Sequence, residues 1–337
     1  MKKILAPLFA VTLLYSCSNS DDNSVTPNPD EKYLDGFFVS NEGNFNGGNA
    51  SVSHINGGLS TVANDIFQTS NARSLGDVAQ HMVVTDKYVY IVVNNSNTIE
   101  VVNKKTFKSV YTISENVTSP RFAVVKNNKL YVTSLVDAKV NVYNAETFAF
   151  IKSIALNHTA EQIAVANNYI YAANGFYSGG MAIEVINPEN DTNTVDIAFE
   201  KAIVGISTNG QNVYALSAND TTTSISIVNN TSIASTKVLE QPIARNIVAE
   251  GSNVYYTAGT GVYKMNNSLT SSSTKLFDVA AGDEYSVFYG FNVLNGTIFT
   301  SDAKGFTDNA KIVIYKEDGS IIKEFTAGVG TNGFYKF

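Results

Sequence analysis

A β-structured unit that recurs about every 41 residues is the feature that most constrains the fold of this chain. Two clear copies read "VVTDKYVYIVVNNSNTIEVVNKKTFKSVYTI" and "AVVKNNKLYVTSLVDAKVNVYNAETFAFIKSI". Each copy has an apolar strand, a turn, a second strand with a central aromatic residue, and then two further strands. We call these aromatic residues the anchors; they are Phe38, Tyr90, Tyr131, Tyr171, Tyr214, Tyr255 and Phe299. The gap after Phe38 is longer, and from Tyr90 onwards successive anchors are 41, 40, 43, 41 and 44 residues apart.

Seven copies of a four-stranded unit predict an all-β fold, a seven-bladed β-propeller, since repeats of about 40 to 45 residues with several strands are typical of it. Asn, Asp and Gly precede the anchor strands, where they tolerate the dihedral angles of tight hairpins. No stretch after Tyr33 has a clear 3.6-residue apolar period, so we predict no helix. Hydrophobic residues make up 44% of the chain, enough for a large core. We expect the propeller to span residues 33–337.

The two ends of the chain are predicted to close the ring together. The first copy begins directly at its anchor strand, Phe37 to Ser40, without the apolar strand that precedes the anchor elsewhere. The final "TNGFYKF", Thr331 to Phe337, has the form of "PRFAVVK" but has no anchor strand after it. The C-terminal strand should therefore pair with the N-terminal blade, which removes the free edges of an open sheet.

The N-terminus has the pattern of a targeting segment. A basic start and an apolar stretch lead to a lone cysteine, Cys17, and residues 1–16 are predicted to be a signal peptide. "LYSC" resembles the lipobox of bacterial lipoproteins, which implies that Cys17 is lipidated; the alternative is a simple secretory signal with a free cysteine. "SNSDDN" resembles acidic surface-export signals of Gram-negative bacteria. Residues 17–32 then form a polar tether, and we expect a lipid-anchored protein on the outer-membrane surface.

Composition argues against several classes of function. The formal net charge is -7 and no basic run occurs, which disfavours nucleic-acid binding because that activity needs clustered Lys and Arg. His54, His81 and His158 lie in different copies, without the spacing of a metal site or a catalytic triad. The absence of Trp disfavours the quinone-cofactor propellers. We expect no cofactor and no bound metal.

The loops between the second and third strands indicate where a ligand could bind. In a propeller these loops emerge on the same face as the loops that lead into the innermost strands. They are long in copies one, four, five and seven, and three of these loops carry aromatic residues near Gly: Phe45, Phe176, Tyr177 and Phe306. Aromatic loop tips are suited to a flat or amphipathic ligand. The alternative is that each ring folds back over its own blade.

A second set of candidates occupies the position ten residues before each anchor, at the mouth of the central channel. This position holds Gln80, Arg121, Glu161, Val204, Arg245 and Tyr289. Such residues would make the mouth polar, with some aromatic surface; the alternative is that they pair with one another, for example Arg121 with Glu161. Arg73 and Tyr285, in loops predicted on the same face, are further candidates.

The stretch "FFVSNEGNFNGGNASVSHIN" resembles the opening of the BtuG-like surface propeller lipoproteins, within the broader YncE-like group. The ending "AGVGTNGFYKF" also resembles that family, which usually has Pro in place of Thr331. The resemblance implies a non-enzymatic protein that captures cobalamin and delivers it to a TonB-dependent outer-membrane receptor. Of the candidate contacts, Asn44 and Phe45 lie within the resembling motif.

Other functions remain open at this point. The ligand could be another large nutrient, such as a haem or a siderophore. A lyase of the kind found on related propellers would need a His and a carboxylate at the channel mouth, and His81 with Glu161 is the pairing on offer. A general surface module for glycans or proteins is the third possibility.

Overall fold

The computed structural model describes residues 31–175, 180–280 and 284–337, the last range without the side chains of residues 284 and 285. Within these ranges, 28 strands form seven four-stranded antiparallel sheets. The same part of the chain contains no helix that is long and apolar enough to cross a bilayer. The regular secondary structure of the described residues is therefore almost entirely β, as the repeat predicts.

Each sheet is one blade, in which the four strands follow one another from the first to the fourth in spatial order. Blade 1 contains β28 (Thr331–Lys336), β1 (Phe37–Asn41), β2 (Ser51–Ile55) and β3 (Val62–Ala63). Blade 2 contains β4 (Ala79–Val84), β5 (Tyr88–Val93), β6 (Thr98–Asn103) and β7 (Ser109–Ile113). Blade 3 contains β8 (Pro120–Lys126), β9 (Lys129–Ser134), β10 (Lys139–Asn144) and β11 (Phe150–Ala155).

The remaining blades follow the same order. Blade 4 contains β12 (Ala160–Ala166), β13 (Tyr169–Asn174), β14 (Ala182–Asn187) and β15 (Thr192–Ala198). Blade 5 contains β16 (Ala202–Thr208), β17 (Val213–Ala218), β18 (Thr223–Asn229) and β19 (Ser232–Val238). Blade 6 contains β20 (Ile247–Glu250), β21 (Asn253–Ala258), β22 (Gly261–Asn266) and β23 (Thr274–Asp278). Blade 7 contains β24 (Gly290–Leu294), β25 (Thr297–Asp302), β26 (Lys311–Tyr315) and β27 (Ile321–Thr326).

The first strands of the blades line the centre of a closed ring. The strands β28, β4, β8, β12, β16, β20 and β24 each contact the next one in this order, and β24 contacts β28 again. This arrangement confirms the seven-bladed β-propeller.

The ring closes through the pairing of the two chain ends. Strand β28 runs antiparallel to β1, with Phe38 opposite Tyr335 and Val39 opposite Phe334. The ring of Phe334 is buried and lies 5.4 Å from that of Phe299 in blade 7. The C-terminal strand thus completes blade 1 and also packs against the last blade, as predicted.

The hydrophobic core lies between neighbouring blades rather than within any one of them, and all seven anchors are buried in it. Several anchor hydroxyls donate hydrogen bonds to the neighbouring blade. Tyr131 of blade 3 donates to Asp191 of blade 4 at 2.7 Å, and Tyr90 of blade 2 donates to the backbone carbonyl of Ala145 in blade 3. The recurrent aromatic residue therefore both fills the core and ties adjacent blades together.

The prediction that no helix occurs is wrong in detail. Helix α1 spans Ile66–Asn71, helix α2 spans Glu284–Val287 and a short 3₁₀ helix spans Lys304–Phe306. Helix α1 packs Ile66 and Phe67 into the core between blades 1 and 2, which accounts for the long gap after Phe38. All three are too short to give a detectable 3.6-residue period, since each has fewer than two turns.

Candidate functional site

One face of the propeller carries a cavity of about 550 Å³, which we call the mouth cavity. The loop between β1 and β2 forms part of its wall, together with the innermost strands of blades 2 and 3 and loops of blade 7. Six of the residues predicted from the sequence line it together: Asn44, Phe45, Gln80, Arg121, Tyr289 and Phe306. The two independent predictions, from long loops and from the position before each anchor, therefore meet at one place.

A second cavity of about 430 Å³, the channel cavity, extends along the propeller axis. It shares Glu42, Gln80 and Tyr289 with the mouth cavity and adds Arg245 and Asn332. Because three residues line both, the two cavities form one continuous depression. Its mouth has more apolar surface, and its deeper part is more polar.

The β1–β2 loop is fixed on both sides by hydrogen bonds. Asn44 donates from Nδ2 to the backbone carbonyl of Phe306 in blade 7 at 2.7 Å, and the Nδ2 of Asn49 donates to its Oδ1 at 3.0 Å. On the other side the backbone N–H of Asn46 donates to Asp77, before blade 2, at 2.9 Å. The asparagines of this stretch therefore hold the loop in place, and the carboxamide of Asn44 is already bonded on both of its ends.

The ring of Phe45 projects from this fixed loop into solvent at the rim of the mouth cavity and is 72% exposed. Its neighbours in sequence fold the turn with positive φ at Gly43 and Asn46. The alternative that Phe45 folds back over its own blade is wrong. Phe306 differs: it packs edge-on against Tyr289, with 4.8 Å between ring centroids.

A bulge in the innermost strand directs the mouth residues into the channel. In blade 2, Ala79 pairs with Val93 and His81 with Val92, so Gln80 lies between them without a partner of its own in the ladder. Blade 5 places Val204 in the same way, and blade 1 places Asn332 between Thr331 and Gly333. A bulge re-aims a side chain that regular pairing would turn elsewhere.

Asn332 is thus a channel residue that the spacing rule does not find, because its anchor, Phe38, lies at the other end of the chain. The similarity of "TNGFYKF" to "PRFAVVK" contains the missing information, since it aligns Asn332 with Arg121. Glu42, inside the "NEGN" motif, is a second residue that the sequence predictions leave out.

Arg121 is neutralised by its neighbours. Its Nε donates to Oε2 of Glu161 at 2.8 Å, and its Nη1 donates to Oε1 of Gln80. The side chains of Arg121 and Glu161 are only 14% and 13% exposed. The alternative that mouth residues pair with one another is therefore correct for these two, and together they present a polar surface with no net charge.

Glu42 lies beneath the mouth, between blades 1 and 7. Its carboxylate accepts a hydrogen bond from the hydroxyl of Tyr289 at 2.5 Å and one from Nδ2 of Asn332 at 2.8 Å. Burial raises the pKa of Glu42 above its usual value, and these hydrogen bonds, together with the charge of Arg121, offset part of that effect. The floor of the mouth is consequently a hydrogen-bonded network rather than a free negative charge.

The other predicted residues lie elsewhere. Arg73 lines neither cavity: it pairs with Glu100 at 2.7 Å and lies over the ring of Phe67. Glu161 lines a smaller third cavity beside Arg121. Three further predictions lie outside the described residues, namely Cys17, Phe176 and Tyr177. The side chain of Tyr285 also belongs to the part that is not described.

His81 does not pair with Glu161 in the folded protein. His81 lies deeper in the channel, with ring centroids 4.9 Å from Phe122 and 5.4 Å from Tyr335. Burial lowers its pKa to about 3, so the ring is neutral at physiological pH. Its described contacts do not include Glu161. Within the described ranges, no group of His, Cys, Asp and Glu has the arrangement of a metal site.

Comparisons with known proteins identify the family and the fold class. A family model described as a domain of unknown function (DUF5074) matches residues 35–332. No curated protein matches this sequence. Among solved structures, a quinoprotein alcohol dehydrogenase-like protein from Bacteroides thetaiotaomicron is 13% identical, with a TM-score of 0.68, over 90% of this chain and 78% of that one.

Two further structures have the same architecture. A candidate 6-phosphogluconolactonase from Bacteroides fragilis is 10% identical, with a TM-score of 0.66, over 90% of this chain and 98% of that one. The virginiamycin B lyase of Staphylococcus aureus is 12% identical, with a TM-score of 0.57, over 73% of this chain and 83% of that one. At such identities the similarity concerns the propeller fold alone.

Proposed function

This chain belongs to the family described as domain of unknown function DUF5074, and from that premise we propose that it is a binding protein for a large neutral ligand edged with amides. Cobalamin is the ligand that fits best. The protein would capture it on the mouth cavity at the cell surface and deliver it to a TonB-dependent outer-membrane receptor. This would be the role of a BtuG-like lipoprotein, and it involves no catalysis.

The observation that carries the proposal is the exposed ring of Phe45 at the rim of a cavity with a polar floor. An aromatic side chain that is 72% exposed on a loop fixed at both sides is available for contact without a change of fold. Cobalamin as a whole is larger than a cavity of about 550 Å³, so its corrin would lie across the mouth. Its peripheral amides could then reach Gln80 and the channel below.

Charge favours a neutral ligand over an anionic one. Phosphates and carboxylates are bound in proteins through available cations, most often Arg and Lys. The described lining of the mouth cavity contains one cation, Arg121, and that guanidinium already bonds Glu161 and Gln80. A second cation, Arg245, lines the channel cavity below it. Haem, with its two propionates, would therefore gain less here than cobalamin, whose periphery offers amides to the same polar groups.

The lyase alternative has less support. A catalytic His would need to meet its carboxylate partner at the mouth, and to hold a proton in the pH range where it acts. His81 instead accepts a long hydrogen bond of 3.4 Å from the backbone N–H of Ala123 and lies between two aromatic rings. We retain the general interaction module as the outcome that would follow if cobalamin does not bind.

Placement on the cell surface is part of the proposal. Lipidation at Cys17 would anchor the protein, and residues 17–32 would give the propeller enough reach to cover a receptor in the same membrane. Cys17→Ser should release the protein from the membrane fraction and abolish labelling by radioactive palmitate. Membrane association of the Cys17→Ser protein would refute the anchor.

Calorimetric titration of the folded domain with cyanocobalamin tests the ligand, with haemin as the matched competitor. We expect heat of binding at a single site for cyanocobalamin, an increase in melting temperature at saturation, and weaker or no binding of haemin. An absence of heat together with an unchanged melting temperature would remove cobalamin as the ligand. Tighter binding of haemin would contradict the charge argument.

A further inference from the structure

Beside the mouth cavity lies a cavity of about 170 Å³ between blades 3, 4 and 5, which we call the side cavity. Arg121 lines both cavities, so the two are neighbours on either side of this residue. Glu161, from β12, and Asn174, at the end of β13, form the polar part of its wall. The residues that line it otherwise are mostly apolar or lack a side chain.

Asn174 has a buried side chain without hydrogen bonds. It is only 2% exposed, and neither its Oδ1 nor its Nδ2 has a partner. A buried primary amide with both ends unsatisfied is rare in a folded protein, because leaving it so costs free energy that a bonded or apolar side chain would not. An unexplained group of this kind at a cavity wall points to a partner that is supplied from outside.

Glu161 adds an acceptor at the same place. Its Oε2 accepts the hydrogen bonds from Arg121, while its Oε1 is buried and has no partner. The position of this carboxylate depends on Gly175, since a Cβ there would lie 2.1 Å from Cγ of Glu161. At the wall of the side cavity, one amide therefore lacks a partner for both its donor and its acceptor, and one carboxylate oxygen lacks a donor; all three atoms are buried, so a ligand group reaches them through a small shift of the wall.

We propose that the side cavity is a subsite for a primary carboxamide of the ligand. A carboxamide has a donor and an acceptor side by side, so it can pair reciprocally with the amide of Asn174. Its second N–H can then donate to Oε1 of Glu161. A carboxylate cannot make these bonds, because it has no donor and would face the charge of Glu161. A hydroxyl would satisfy one end of Asn174 and leave the other unpaired.

This inference rests on the proposed function of the same face, which it makes more specific. The side cavity is too small for a corrin and has room for one amide-terminated arm of it. The ring would lie over Phe45 and the mouth cavity, and one peripheral amide would pass Arg121 to reach Asn174. This arrangement would distinguish an amide-edged ligand from a similar macrocycle that carries carboxylates.

Saturation-transfer NMR with propionamide and propionate tests the subsite without the large ligand. The two probes have the same shape and differ in the terminal group, which is a carboxamide in propionamide and a carboxylate in propionate. We expect a signal for propionamide with the unaltered protein, little or none for propionate, and a loss of the propionamide signal in Asn174→Leu. Asn141→Ala is the matched control, since Asn141 is also a buried amide on a strand but bonds the backbone of Asn116.

The outcomes separate this inference from the proposed function. Absence of a propionamide signal would mean that the side cavity holds ordered water only. An equal signal from propionate would mean that the cavity does not distinguish a carboxamide from a carboxylate. Either result overturns the inference. Asn174→Leu should also raise the Kd for cyanocobalamin by about tenfold or more. If cyanocobalamin binds both proteins equally, the subsite is refuted and the proposed function stands. If propionamide binds and cyanocobalamin does not, the amide subsite stands and cobalamin is refuted as the ligand.

Discussion

Phe45→Ala should weaken cyanocobalamin binding and leave the stability of the propeller unchanged. The side chain is 72% exposed and belongs to no core cluster of the described residues. The loop that carries it is held by the amides of Asn44 and Asn46, which the substitution does not touch. The free energy of unfolding should therefore change by about 0.5 kcal/mol or less, as for other exposed positions.

The magnitude of the binding effect follows from the exposed area. A Phe side chain offers roughly 200 Å², so an exposed fraction of 72% leaves roughly 140 Å² for a ligand to cover. At about 25 cal/mol per Å², complete covering is worth about 3.5 kcal/mol, and covering of half that area about 1.7 kcal/mol. The Kd should consequently rise by about twentyfold to a few hundredfold.

The assay combines calorimetric titration with thermal unfolding of the same samples. Leu34→Ala is the control, because Leu34 is also an exposed apolar residue, at 59%, and lines neither the mouth cavity nor the channel cavity. It should change neither Kd nor the melting temperature. An unchanged Kd for Phe45→Ala would refute the contact, and a loss of stability above about 1 kcal/mol would mean that the ring packs inward.

Three further predictions concern the scaffold and the floor of the mouth. Deletion of Thr331–Phe337 removes β28 and opens blade 1, so the truncated protein should aggregate or lose its cooperative unfolding transition; an unchanged melting temperature would contradict the seven-blade closure. Tyr131→Phe removes a hydrogen bond to the buried carboxylate of Asp191 and should cost about 1.5–3 kcal/mol in urea unfolding; a cost below about 0.5 kcal/mol would show that the hydroxyl does not tie the blades. Burial raises the pKa of Glu42 in the folded protein, so the protonated carboxyl stabilises the fold. This stabilisation is fully present below about pH 4.3, the ordinary pKa of Glu, and is lost as the pH rises through the folded-state pKa. Glu42→Gln, which stays neutral, should therefore melt above the unaltered protein at pH 7, and the difference should shrink towards pH 4; a difference that does not depend on pH would contradict the assignment.

The fold could be predicted because its determinants repeat. Each anchor lies in a strand buried on both faces, and the same order of strands and turns recurs around it seven times. Closure could be predicted as well, since "TNGFYKF" lacks the anchor strand that should follow it. Helix α1 could not, because a segment of six residues is set by the tertiary packing of Ile66 and Phe67 rather than by a local pattern.

The site could be predicted in part, for a related reason. Gln80 and Arg121 could be identified because the bulge that aims them into the channel recurs at a fixed distance from the anchor. Glu42 and Asn332 depend on contacts between the two ends of the chain, which no local spacing contains. The orientation of the Arg73 side chain depends on α1, because the guanidinium lies over Phe67. The amide of Asn174 is unpaired because no neighbouring group in the fold bonds it. Such properties exist only in the folded ring.

The location of cobalt in crystals of the protein with cyanocobalamin shows directly whether the ligand binds at the mouth cavity. Anomalous scattering from the metal identifies the corrin without any assumption about its contacts. We expect one cobalt site above the mouth cavity, with the corrin against Phe45 and one amide arm directed past Arg121. A cobalt site on the opposite face or on the outer strands, or crystals at saturating cyanocobalamin without cobalt at the mouth, would contradict it.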